Sequence, residues 1–364
     1  MPTTMTNVLF LNQLQDLIGT DIGNRGMKAL ICSGDLATSC HALALLSPTR
    51  NDKRSLVLVL TGFPCCVNET PPTETDGPPG ACSIAQTALA LGHDVVLLTD
   101  ECNTVVLQAA SQHLLQQYSS DSNGPTFSIT SLPGEDLEDP SSNKESLELL
   151  QRLAKDCAMV IACERAGPGP DGHCYTMRAT DMTAKGLIAP IHKLIEYLQQ
   201  SPADNNNNNN NNNRTKPLFL AIGDGGNELG MGKVHDRITS PESKIPLNNI
   251  TGCVIAADYL IAASVSNWGG YALSVGTAFV KAHEELTSNE SSTSGDRERL
   301  VQKWLDKCVP TRQAEIDLLQ RCVDKGCRDG VSGKVEATVD GFSLETSLDI
   351  LDSLRNAAIE ASKK

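Results

Sequence analysis

Short unbroken apolar runs recur along the chain, separated by longer stretches in which apolar residues return every three or four positions. The runs are 55–60 (SLVLVL), 94–98 (DVVLL), 158–162 (AMVIA), 218–222 (LFLAI) and 259–263 (YLIAA). Continuous apolar content, rather than alternation with polar residues, is expected of parallel strands covered on both faces. The intervening patterns predict helices over 81–91, 104–117, 144–155, 185–199 and 271–285. Further helices at 7–18, 301–307, 313–325 and 346–362 would pack around the ends. Strands alternating with helices predict an α/β protein: a mostly parallel layered sheet, right-handed crossovers, and helices on both faces. No internal repeat is present.

Two segments break this rhythm. A tract of nine asparagines (205–213) sits in a polar stretch at about 201–216, and a serine-rich stretch covers about 287–296. With almost nothing apolar to bury, both are expected to be disordered surface loops. Insertions of this kind cost a fold little, so residues 1–364 are read as one large domain.

Composition adds three bounds. Hydrophobic residues make up 40% and charged residues 20%, enough to bury a real core. No apolar run approaches the ~20 residues of a membrane-spanning helix. Thirty basic against 44 acidic residues give a net charge of −14, a field that repels polyphosphate backbones. Nucleic acid and membrane are therefore excluded as partners, while amino acids, small cations and divalent metals suit the charge. The 13 cysteines are scattered, form no C-x-x-C pair and include the neighbours Cys65 and Cys66. They are read as reduced, small apolar residues of an intracellular protein. Residues 1–24 contain no Lys or Arg but include Asp16 and Asp21. No presequence is evident, so the expected location is cytoplasmic. Oligomeric state does not follow from these features.

The residues directly after each predicted strand carry the chemistry. They are Thr61-Gly62-Phe63, Thr99-Asp100-Glu101, Cys163-Glu164-Arg165, Gly223-Asp224-Gly225-Gly226-Asn227-Glu228, and Ser264 to Gly270. Ligands of open parallel sheets bind beyond the carboxyl ends of the strands, where such loops converge. GDGGNELGMG (223–232) matches neither the dinucleotide fingerprint, because Glu228 stands at the third glycine, nor a phosphate loop, because Val234 follows Lys233. It offers hard oxygen ligands, Asp224, Asn227 and Glu228, of the kind Mg²⁺, Mn²⁺ or Ca²⁺ prefer. Gly225 and Gly226 would let backbone approach a ligand.

ETDGPPGA (74–81) places Glu74 and Asp76 on a rigid turn, with Gly80 opening a helix whose N–H groups suit a substrate carboxylate. The long Gly/Pro-rich segment from Cys163 to Thr183 has the length of a lid, with His173 most simply a surface residue. Glu164, at a strand end, is the best general-base candidate. Ser266 and Asn267 in SNWGGYAL are offered to a ligand, with Trp268 packing. Asp329 and Asp340 lie on C-terminal turns and are most simply turn residues. Neither a G-x-S-x-G elbow nor an HExxH pair occurs.

Together TGF, ETDGPPGA, DGHCYTM, GDGGNELGMG, DYLIAASVSNWGGYAL and DGVSG…TVDGF resemble the D-glutamate cyclase-like C-terminal domain family, over roughly residues 21–342. The resemblance implies a lyase-type cyclisation of D-glutamate to 5-oxo-D-proline and water. The enzyme for which the family is named carries an additional N-terminal hydro-lyase-like domain, to which nothing in this sequence corresponds. Some stand-alone members resemble metal-binding proteins with an acidic cavity.

On that basis Glu164 is assigned as base and Glu228 as acid. Asp76, Asp224 and Asp100 are assigned to a divalent cation, Mg²⁺ or Mn²⁺. Arg165 or the helix start near Gly80 would hold the substrate α-carboxylate, with Gly225, Gly226, Asn227, Ser266 and Asn267 lining the subsite. Two alternatives share the same acidic crevice: a metal-dependent hydrolase of a small phosphorylated metabolite, and a non-enzymatic metal- or metabolite-binding protein.

Overall fold

A computed structural model of the chain describes residues 2–47, 54–118, 123–200, 216–287 and 294–364. The nine-asparagine tract and residues 288–293 of the serine-rich segment lie outside these residues. The strands are β1 (Leu56–Gly62), β2 (Asp94–Asp100), β3 (Phe127–Leu132), β4 (Cys157–Arg165), β5 (Leu218–Gly223) and β6 (Tyr259–Ala262). They form one parallel sheet in the order β3-β2-β1-β4-β5-β6. After β1 the chain adds strands on one side, then returns to add β4 on the other. Connections therefore diverge between β1 and β4, opening a crevice at the carboxyl edge of the sheet.

Side-chain alternation along the strands explains the continuous apolar runs. Val57, Val59, Val95, Leu97, Met159, Ile161, Leu220, Ile222 and Ile261 belong to one core. Their neighbours Leu58, Leu60, Leu98, Val160, Ala162, Phe219, Ala221 and Leu260 belong to the other. A strand that buries both faces leaves no position for a polar side chain until it ends. The first core is the larger. Side chains from α1 (Pro2–Ile18), α2 (Asp35–Ala44), α3 (Pro78–Ala90), α4 (Thr104–Ala110) and α5 (Gln112–Gln117) enter it. On the second, α6 (Lys144–Asp156) and α7 (Lys193–Gln200) cover the sheet, with the short α8 (His235–Ile238) and α9 (Asn248–Thr251) in the β5–β6 connection. The chain then returns to the first face with α10 (Ser266–Thr287), α11 (Ser294–Cys308), α12 (Arg312–Asp324) and α13 (Leu344–Ser362).

The predicted α/β architecture and its five strands are present, and the differences have local causes. Strand β3 (FSITSL) was not anticipated because Ser128, Thr130 and Ser131 interrupt its apolar content. As an edge strand it has one neighbour and tolerates half-exposed hydroxyls. The helix expected over 185–199 starts only at Lys193, since Pro190 cannot donate to a helical hydrogen bond and crowds the preceding turn. Helix α10 begins at Ser266 rather than 271. Its Gly269 and Gly270 look like a turn in sequence but form a contact surface instead: a Cβ on Gly270 would lie 2.7 Å from the Gly80 Cα. Among the described residues no disulfide joins any two cysteines, and no helix is long and apolar enough to cross a membrane.

Candidate active site

The N-termini of α3 and α10, the helices that follow β1 and β6, meet above the carboxyl edge of the sheet and fasten each other. Asp76 precedes α3, yet its carboxylate caps α10, accepting from the backbone N–H of Ser266 and Asn267, both at 2.8 Å, and from Gly77 at 3.0 Å. Reciprocally, the Asn267 amide oxygen accepts from the N–H of Gly77 at 3.0 Å and Gly80 at 2.8 Å. Each side chain thus satisfies the orphan donors of the other helix. The contact requires backbone-to-backbone approach, which only glycine at 80 and 270 permits.

Glu164 is aimed into the same crevice by an irregularity at the end of β4. Leu60 pairs with Ala162, but Gly62 pairs with Arg165, so one residue of β1 faces two of β4. Glu164 takes up the extra residue with φ 45°, a left-handed conformation uncommon for a branched-free carboxylate side chain outside turns. Its Oε2 accepts from the Ser266 hydroxyl at 2.6 Å. Glu228 is held differently. Its carboxylate folds back over its own loop and accepts from the backbone N–H of Asp224 at 3.0 Å, Gly226 at 2.7 Å and Gly225. GDGGN is therefore an anion nest already filled by the chain's own glutamate.

Asp224 stands between these two arrangements. Its oxygens lie within 4.8 Å of those of Glu164 and Glu228 on one side, and of Asp76 and Asp340 on the other. Asp340 reaches the cluster from the turn before α13, and Asp329 fixes that turn by accepting from the N–H of Val331, Ser332 and Gly341. Glu74 is buried alongside. The Arg25 guanidinium approaches from the loop after α1, its Nη2 2.7 Å from Asp340 Oδ2 and 3.2 Å from Asp224 Oδ2. Among the described residues no other Lys or Arg pairs with these carboxylates.

So much acid in one buried place distorts proton affinity. Burial, aggravated by the neighbouring carboxylates, pushes Asp76 up to about 7 and Asp224 up to about 8, although Arg25 opposes the latter. Glu164 rises well above the usual range through burial and the charges of Asp224 and Glu228. Glu74 and Asp340 rise for the same reasons. Hard oxygens converge here with too little positive charge to balance them, and Asp76, Asp224 and Asp340 could hold a metal ion by ligand type and spacing.

Several expected residues sit elsewhere or are already occupied. Asp100 lies in neither cluster. It forms a buried ion pair with Arg165 and accepts from the Ala189 N–H at 2.7 Å and the Asn103 amide at 3.0 Å. Arg165 is 1% exposed and donates from Nη1 and Nη2 to the carbonyls of Gly62 and Ala189, while its Nε is buried without a partner. Enclosed and paired with Asp100, the guanidinium is not open to a substrate. The N–H of Gly80 is taken by Asn267, and those of Gly225 and Gly226 by Glu228. Asn227 donates to the Tyr175 carbonyl at 2.8 Å, tying the β5 loop to the segment after β4. On that segment His173 pairs with Asp181 at 2.6 Å, away from the carboxylates. Conversely, Asp340 and Arg25 enter the site without a sequence signal beyond a turn and a lone basic residue.

Comparison with known proteins adds an independent line. Residues 14–355 match the family described as "D-glutamate cyclase-like, C-terminal". The chain is similar to the human protein "D-glutamate cyclase, mitochondrial", with 31% identity over 341 residues. The match takes in 91% of this chain and 49% of the human protein, so the chain spans about half the length of the curated relative it matches. The acidic crevice lies within the matched residues, and the chain belongs to the D-glutamate cyclase-like C-terminal family.

Proposed function

We propose that this chain catalyses the cyclisation of D-glutamate to 5-oxo-D-proline and water in the crevice formed by Asp76, Glu164, Asp224 and Asp340. The family and the human relative's printed activity support the reaction class. The observation that carries the assignment is the raised proton affinity of Glu164 at the edge of a carboxylate triad suited to a divalent cation. When bound by Asp76, Asp224 and Asp340, Mg²⁺ or Mn²⁺ would neutralise the γ-carboxylate and make its carbon more electrophilic.

Cyclisation joins the amine nitrogen to the γ-carboxyl carbon and expels one γ-oxygen. Two protons must leave the ammonium nitrogen, and both end on the departing oxygen as water. A carboxyl whose proton affinity is raised by its surroundings can serve both transfers. Glu164 fits that task, taking a proton from nitrogen and returning it to oxygen, while the Ser266 hydroxyl fixes its orientation. Glu228 is assigned a different part from the general acid expected earlier. Three backbone N–H groups donate to its carboxylate, and it lies beside Glu164, whose proton affinity it raises. The test is incubation of purified protein with D- or L-glutamate, with Mg²⁺, Mn²⁺ or EDTA, and quantitation of 5-oxoproline. Metal-dependent product from D-glutamate is expected. Release of phosphate from phosphorylated metabolites without 5-oxoproline would replace this reading with a metal-dependent hydrolase, and neither product would leave a binding protein.

A further inference from the structure

We infer that Arg25 is the subsite for the substrate's α-carboxylate, an inference that rests on the amino-acid cyclisation just proposed. A substrate with two carboxylates entering a crevice of clustered carboxylates needs a fixed positive charge for the carboxylate that does not react. Arg165 is enclosed and paired with Asp100, and the helix N-terminus at Gly80 is filled by Asn267. Arg25 remains. Its Nη2 is pinned on Asp340 Oδ2 at 2.7 Å and on the Ser264 carbonyl at 3.1 Å. Among the described residues no acceptor meets Nε or Nη1, and the side chain keeps 31% of its exposure.

The residue is also held in place from behind. Asp21 accepts from the backbone N–H of Arg25 at 2.8 Å and Gly26 at 3.2 Å, while the Asp21 N–H donates to the Ser264 hydroxyl at 2.9 Å. The loop after α1 is thereby clamped to the end of β6, next to the start of α10. A guanidinium anchored by one nitrogen, with its other donors free, is preorganised for two-point recognition of a carboxylate. Asp224 lies within reach of both Arg25 and Glu164.

Kinetics of wild type, Arg25→Lys and Arg25→Ala on D-glutamate and on 4-aminobutanoate, which cyclises but has no α-carboxylate, test this. Arg25→Ala is expected to raise KM for D-glutamate about 10- to 100-fold and to leave kcat/KM for 4-aminobutanoate within about twofold. Lys should recover part of the loss, and added guanidinium should partly rescue the Ala variant. Equal losses on both substrates, or none on either, would overturn the assignment, because a purely structural role does not distinguish them. D-glutamate binding by calorimetry with Mn²⁺ separates the two readings. Turnover with unchanged KM in Arg25→Ala overturns this inference alone. Binding without turnover by wild type overturns the cyclisation, and equal affinities of wild type and Arg25→Ala then overturn the α-carboxylate subsite as well.

Discussion

Replacing Asp224 by asparagine should make the metal-free protein more stable, the reverse of the usual effect of changing a buried residue. The carboxyl is pushed from 3.8 up to about 8 in the fold, so folding favours its protonated form. A raised value contributes stability that is present in acid and is lost as pH climbs from about 4 towards about 8. At pH 7.5 an unfolded Asp224 is ionised, and the penalty for folding it approaches about 5 kcal/mol, at roughly 1.4 kcal/mol per unit. At pH 5 the same reasoning leaves about 1.5 kcal/mol. Asparagine mimics the neutral carboxyl, and its amide can donate to Asp340 or Glu164. It also forfeits the attraction to Arg25, so a gain of about 2–3 kcal/mol at pH 7.5 is expected, shrinking to under about 1 kcal/mol at pH 5. Urea denaturation in EDTA at the two pH values measures both. Adding Mn²⁺ at about 100 times its dissociation constant should stabilise wild type by about 2.7 kcal/mol and the variant hardly at all. A variant less stable than wild type in EDTA at pH 7.5, or one that gains equally from Mn²⁺, would refute the view of Asp224 as the centre of a cation site.

Three further outcomes follow from the same geometry. Glu228→Gln points an amide NH₂ at one or more of the N–H donors of Asp224, Gly225 and Gly226, and should cost about 2–4 kcal/mol by denaturation. It also removes a negative charge beside Glu164, so the acidic limb of the pH–activity profile should move to lower pH; an unmoved limb would deny the electrostatic role. Gly270→Ala places a methyl against the Gly80 backbone and should destabilise by about 1–3 kcal/mol, with a larger loss of activity than of fold because the Asp76–Asn267 clasp opens. Unchanged kcat in a folded variant would show that the clasp does not position the site. Tyr271→Phe removes the hydroxyl that donates to Glu315 Oε1, leaving a 1% exposed carboxyl without a partner. A loss of about 1–3 kcal/mol should appear in thermal or urea unfolding, with KM for D-glutamate unaffected.

The strands announced themselves because a sheet covered on both faces forbids polar side chains along its length, so five apolar runs and the α/β layering are readable one segment at a time. The same rule locates chemistry: polar side chains can reappear only where strands end, and Glu164, Asp224 and Ser266 were identified at strand ends. Asp76 was found through its Pro-Gly turn. What single segments cannot report is pairing across the chain. Whether Asp100 faces the carboxylates or Arg165 depends on where β2 and β4 stop relative to each other. Whether the glycines of GDGGN serve a ligand or Glu228 depends on how that loop folds back on itself. Asp340 and Arg25 enter the crevice from opposite ends of the sequence, 315 residues apart, with no local periodicity to mark them. Burial and periodicity are properties of neighbours in sequence and were legible there. The electrostatics of the site are set by separations in space between residues far apart in the chain, and those exist only once the sheet, α3 and α10 have closed around them.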